Sequence, residues 1–146
     1  MDSNTKTGTF SEEEKSAMRE RAKELKEEAK MLKNRESGEK AVMDAVNVMD
    51  ESDKKLALKI HELVSKYAPN LMPKTWYGMP AYANKDGKVV CFFQAAGKFG
   101  YRYATLGFQE DAHLDSGNMW AASFALLKIT EKEESQIIEL IKKAIS

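Results

Sequence analysis

Between residues 11 and 33 the apolar positions Met18, Ala22, Leu25, Ala29 and Leu32 recur at spacings of four and three. That rhythm predicts a helix with a seam of two apolar positions per heptad, narrower than the stripe of a deeply packed helix. Ser11 and Glu14 have the spacing of a capping box, and Glu12, Glu13 and Glu14 suit the positive end of the helix dipole. The run 34-NRESGEK-40 then predicts a break, with Gly38 near a helix end. Over 41–49, Val42, Ala45, Val46 and Met49 share one face of a short helix. Asp50-Glu51-Ser52-Asp53 punctuates again, and Ser52 or Asp53 can cap the helix after it. That helix carries a broad face of Leu56, Ile60, Leu63, Val64 and Tyr67, and Ala68-Pro69-Asn70 ends it.

From residue 75 the period shortens to that of a strand. Residues 75–83 read as one extended segment interrupted at Gly78, and Asn84-Lys85-Asp86-Gly87 is a hairpin turn signal. Residues 88–95 are apolar on both faces, which predicts a central strand covered on both sides. Over 101–106 the alternation sets Phe99, Tyr101 and Tyr103 on one face and Arg102, Ala104 and Leu106 on the other. After the loop 109-QEDAHLDSGN-118, Trp120, Ala122, Phe124 and Leu126 share one face of a fourth strand. Thr130 and Glu133 make a second capping box, opening a helix over 131–145 that buries Ile137, Ile138, Leu140, Ile141 and Ala144. Segregated helices and strands with short strand connections predict an α+β fold: a single antiparallel sheet of about four strands packed by helices, with an extra charged N-terminal helix. The expected organisation is a disordered N-terminus over 1–10, the charged helix over 11–37 and the α+β domain over 38–146.

Charge refines this picture. Lys+Arg and Asp+Glu both total 23, so the chain has no net field to recruit nucleic acid or an anionic membrane. The balance hides a division, because twelve of the thirteen aromatics lie between Tyr67 and Phe124, in a stretch poor in charge. One half is solvated helix and the other an aromatic core. The single Cys91 excludes an intramolecular disulfide and any multi-cysteine metal motif, and within VVCFF it is expected to be buried and inert. No apolar run approaches a bilayer span and the N-terminus has no apolar signal core, so a soluble cytoplasmic protein is expected.

The segment 73-PKTWYGMPAY-82 concentrates rigidity and aromatic area. Gly78 permits a bulge or a positive φ, Met79 is held extended by the proline after it, and Pro80 implies an edge strand or a bulge. At 77-YGMPAY-82, followed by VVCFF, the sequence resembles the YdhG-like family of small bacterial and archaeal domains. The turn at Asp86-Gly87, the strand YRYATLGF and the closing strand and helix from Trp120 fit in the same order, so the resemblance covers about residues 40–145. It implies an α+β fold with one antiparallel sheet packed by helices. Many members are labelled uncharacterised and some frataxin-like iron chaperones, which makes iron the alternative ligand. For such a site the first helices of the core offer Glu39, Asp44, Asp50, Glu51 and Asp53, with Lys40, Lys54 and Lys55 partly cancelling their field.

The residues themselves favour a non-enzymatic binding or adaptor domain, taking a small ligand or protein partner on the aromatic face of the sheet. Its expected site is Trp76, Tyr77, Met79, Tyr82, Tyr101, Arg102 and Trp120, because aromatic density occurs there without a nucleophile, base and oxyanion donor in any recognisable motif. A small anionic ligand at Lys98 and Arg102 is a variant of the same reading. Asp111, His113 and Asp115, beside Glu110, form the best local metal-ligand cluster, and the bland reading of that loop is a solvated acidic surface. The N-terminal seam has two readings, an arm lying on its own domain or a homodimer interface.

Overall fold

The computed structural model describes residues 11–146. The expected disorder of residues 1–10 lies outside them. The chain divides between Glu36 and Ser37 into two compact units. The first is a stretch of a long helix, α1 (Glu12–Asn47), begun by the Ser11 hydroxyl, which accepts the Glu14 N–H at 3.1 Å. The second, from Ser37, holds the remainder of α1, then α2 (Glu51–Tyr67), five strands and α3 (Glu131–Ala144).

α1 runs unbroken through the stretch in which a helix end is predicted. Gly38 is there for a different reason. A Cβ at that position would collide with the carbonyl oxygen of Pro73, so glycine is the residue that lets the helix and the strand backbone touch. Beyond it Val42 and Val46 are fully buried, as the apolar spacing predicts. Helix α2 is capped by Asp50, not by Ser52 or Asp53: the Asp50 carboxylate accepts the Asp53 N–H at 3.0 Å. α3 has the predicted capping box between Thr130 and Glu133.

The sheet is open, antiparallel throughout, and ordered β1 (Met72–Trp76), β2 (Met79–Ala83), β3 (Val89–Gln94), β4 (Ala104–Phe108), β5 (Ser123–Leu126). It is α+β as expected, with one strand more, because the segment read as a single interrupted strand is a hairpin. Tyr77 and Gly78 form its two-residue turn at φ of 51° and 78°, both in the left-handed region that a type I′ turn requires. Pro80 is consequently not on an edge. Trp76 and Met79 close the turn as a hydrogen-bonded pair, so Thr75 and Pro80 form the next, non-hydrogen-bonded pair, and β1 needs nothing from the proline nitrogen. On its other side the ladder to β3 starts only at Ala81 and Phe92. β3 also carries one extra residue, Val90, between the partners of Tyr82 and Ala83.

The register assigns the faces. Tyr82, Cys91, Phe93, Leu106, Phe108 and Leu126 point to one side and form the core with Val42 and Val46 of α1, Ile60 and Val64 of α2, and Ile137 and Ile141 of α3. Lys74, Ala81, Phe92 and Gly107 share the other side. There Trp76 meets Phe92 edge to face at 5.4 Å, and the Phe92 ring occupies the space a side chain on Gly107 would need. Two strands are shorter than the alternation predicts. Tyr101, Arg102 and Tyr103 precede β4, after Gly100 turns the chain at φ 68°, and Trp120 precedes β5. Among the described residues no helix is long and apolar enough to cross a membrane.

Candidate functional site

At the hairpin end of the sheet lies a cavity of about 450 Å³. Four elements wall it. The turn after α1 contributes Val48 and Met49, the hairpin Gly78 and Met79, β3 and the segment just after it Phe93 and Ala95, and a 3₁₀ turn (Gly97–Phe99) the residues Lys98 and Phe99. Asp53, buried in the first turn of α2, closes the floor, and Asp50, which caps α2, also lines the cavity but is exposed.

The floor is built around a buried carboxylate. Asp53 is 4% exposed, and its two oxygens accept the N–H groups of Ala96 at 3.0 Å and Gly97 at 2.8 Å. A buried charge persists when charge-assisted hydrogen bonds replace water, and here both come from backbone amides on the turn. Asp53 therefore pins the turn carrying Lys98 and Phe99 to α2. A Cβ on Gly97 would run into the Asp50 carboxylate, so a side chain there requires that α2 cap to move. The cavity lining also holds one ammonium beside the exposed Asp50 carboxylate. The Lys98 ammonium lies 5.5 Å from the Phe99 ring centroid, beside Gly78, where an added Cβ would come within 3.4 Å of it. No carboxylate among the described residues pairs with it.

The expected site residues are not gathered on one face. Met79 lines the cavity, and Tyr101 stacks at 5.5 Å on Phe99, which also lines it. Trp76 stands on the sheet face with Phe92, and Tyr77 packs edge-on against it at 5.1 Å while remaining 82% exposed at the hairpin tip. Arg102 covers the Tyr103 ring, and Trp120 is partly exposed in the loop before β5. Tyr82 is 1% exposed and faces the core.

The Tyr82 hydroxyl instead ends a chain of polar groups across three elements. His61 of α2 places Nδ1 2.8 Å from the Tyr82 oxygen and Nε2 2.8 Å from the Glu39 carboxylate of α1. With Glu39 ionised, Nε2–H donates to it and Nδ1 accepts the phenol proton. The order carboxylate, imidazole, hydroxyl is that of an acyl-transfer triad, but the nucleophile end is sealed in the core. Burial, with smaller contributions from Cys91 and Glu39, pushes the phenol well above its ordinary range. Cys91 is buried beside it on β3, and burial pushes its thiol up to about 12.

The loop expected to offer metal ligands disperses them. Asp111 accepts from the Asn84 side chain at 2.8 Å, and His113 binds the Ser146 carbonyl at 2.8 Å through Nδ1. Asp115 is exposed, and among the described residues no three His, Cys, Asp or Glu groups are placed to share a metal ion. Of the acidic residues at the start of α2, Asp53 has both oxygens committed to the turn.

Sequence reasoning identified Met79 and considered Lys98, but missed Asp53, Phe93 and Phe99 as cavity residues. The signal for Asp53 was present: a third acidic residue just inside a helix that Asp50 already caps. Comparison of the chain with family models, with curated proteins and with solved structures yields no match.

Proposed function

We propose that this is a non-enzymatic binding domain whose cavity takes a small amphipathic anion, an aryl or short alkyl body ending in one carboxylate or phosphate. The observation that carries this reading is the pairing of apolar walls (Met49, Met79, Phe93, Phe99) with one ammonium at the mouth that lacks an acidic partner. Pockets of this kind bury the ligand body and fix its orientation through a few polar groups. A binding reading is favoured over a catalytic one because the carboxylate–imidazole–hydroxyl chain ends inside the core. Gly78 and Met79 of the Tyr-Gly-Met-Pro stretch, which resembles YdhG-like domains, supply one wall. A buried free thiol fits a cytoplasmic location.

Amide spectra recorded during titration with octanoate, phenylacetate and phenyl phosphate test this. Shifts are expected at Met79 and along Ala95–Gly100, with about tenfold weaker binding in Lys98→Ala. No response at millimolar ligand, or equal binding by Lys98→Ala, overturns the reading.

A further inference from the structure

The first unit carries a surface that the cavity and the core do not use. Met18, Leu25 and Leu32 project from α1 at 52%, 49% and 60% exposure, at intervals of seven residues, with exposed Ala22 and Ala29 between them. Large apolar side chains exposed at a heptad interval have the spacing of a coiled-coil seam.

We infer that two copies of this chain pair antiparallel through this stretch of α1. The alternation of residue sizes sets the direction. Every second seam position is large (Met18, Leu25, Leu32) and the positions between are alanine or lysine (Lys15, Ala22, Ala29). In a parallel pair each layer would meet its own kind, so that narrow alanine layers alternate with wide leucine layers and the helices cannot hold one separation. Reversed, each layer joins one large and one small residue: Ala22 meets Leu25 of the second copy, Met18 meets Ala29, and Lys15 lays its aliphatic stem along Leu32. The spacing is then uniform and the layers fill. From Lys15 to Leu32 the seam spans about 26 Å at about 1.5 Å per residue.

Flanking charges lean the same way. The antiparallel register sets Glu12 beside Lys33 and Glu14 beside Arg35 of the second copy, against the unfavourable contact of Arg19 with Lys26, each of the three occurring twice by symmetry. The parallel register pairs Glu14 with Arg19 but sets Arg21 against Lys26.

Sedimentation velocity of the full chain at high micromolar concentration is expected to give a mass near twice 16.5 kDa, returning to the single mass in Leu25→Asp with unchanged circular dichroism. Direction is read by mild oxidation of two variants, Lys15→Cys and Leu32→Cys, with the buried Cys91 as an unreactive background. Mixed together they are expected to form the heterodisulfide. A monomeric full chain overturns the pairing, and efficient homodisulfide formation by each variant alone overturns the direction.

Discussion

Gly38, in the interior of α1, lies so close to the carbonyl oxygen of Pro73 in β1 that a side chain there would have no space. A helix and a strand edge are joined there backbone to backbone. Two effects of opposite sign meet at this position. Replacing a mid-helix glycine with alanine ordinarily stabilises by about 1 kcal/mol. Forcing a methyl group against a fixed carbonyl costs about 1–3 kcal/mol. Since the obstacle is backbone, the second effect wins, and Gly38→Ala is expected to lower the denaturation midpoint in urea. A raised midpoint would show that α1 shifts freely over β1.

Tyr77 holds a left-handed backbone conformation that costs a residue with a side chain about 1–2 kcal/mol. Asparagine tolerates it, and Asn-Gly is the favoured pair for this turn. Tyr77→Asn is therefore expected to stabilise the fold by about 1 kcal/mol in thermal unfolding, despite the lost contact with Trp76. Destabilisation would mean that the Trp76–Tyr77 ring contact outweighs the turn.

The chain Glu39–His61–Tyr82 predicts unequal sensitivities. Tyr82→Phe removes the hydroxyl facing His61 Nδ1 and leaves a part-buried ring nitrogen without its partner, at a cost of about 1–3 kcal/mol. Glu39→Gln keeps an acceptor oxygen for Nε2–H at a more exposed position, so its cost is about 1 kcal/mol or less. Equal losses in the two variants would refute this ranking.

Asp53→Asn replaces a carboxylate oxygen that accepts a buried amide with an NH₂ group that cannot. A cost of about 1–3 kcal/mol is expected. In the native state the effect should appear as faster hydrogen exchange at Ala96 and Gly97. Unchanged exchange there would refute the pinning role of Asp53.

Alkaline stability follows from Cys91. In the unfolded chain the thiol ionises near 9.0, whereas in the fold burial holds it protonated up to about 12. Above pH 9 the unfolded state therefore releases a proton that the native state keeps. Stability contributed below 9 falls as pH rises toward 12, with a slope of at most about 1.4 kcal/mol per pH unit. Tyr82, also raised by burial, adds a fall that begins near 10.0. Cys91→Ala should flatten the limb starting at about pH 9, measured by urea unfolding at stepped pH. An unchanged limb would assign it elsewhere.

Much of this architecture is legible in the residues, and the reason differs by element. α2 and α3 follow from apolar spacing, because Ile60, Val64, Ile137 and Ile141 have to face one way whatever they face. The end of β1 is not legible in the same way: a tyrosine does not announce a positive φ, so Tyr77-Gly78 reads as an interruption rather than a turn. Gly38 misleads for a related reason, since its purpose lies on Pro73, 35 positions away in the chain. His61 finds Glu39 and Tyr82 at separations of 22 and 21 residues, contacts that exist only once α1, α2 and β2 have packed together. Aromatic clustering in sequence did not become a cluster in space, because Tyr101, Tyr103 and Trp120 fall just outside strands whose alternation would have aligned them.

The contact between α1 and Pro73 also bears on how the sheet meets other sheets. An antiparallel sheet can in principle extend at either rim, and a molecule with two receptive rims can add copies without end. Here the β1 rim has a helix against the Pro73 carbonyl and a proline with no N–H to offer. That leaves the four-residue β5 as the rim for strand addition. A body with one such rim can join one neighbour and then stop, so polymerisation through this sheet is terminated by its own geometry.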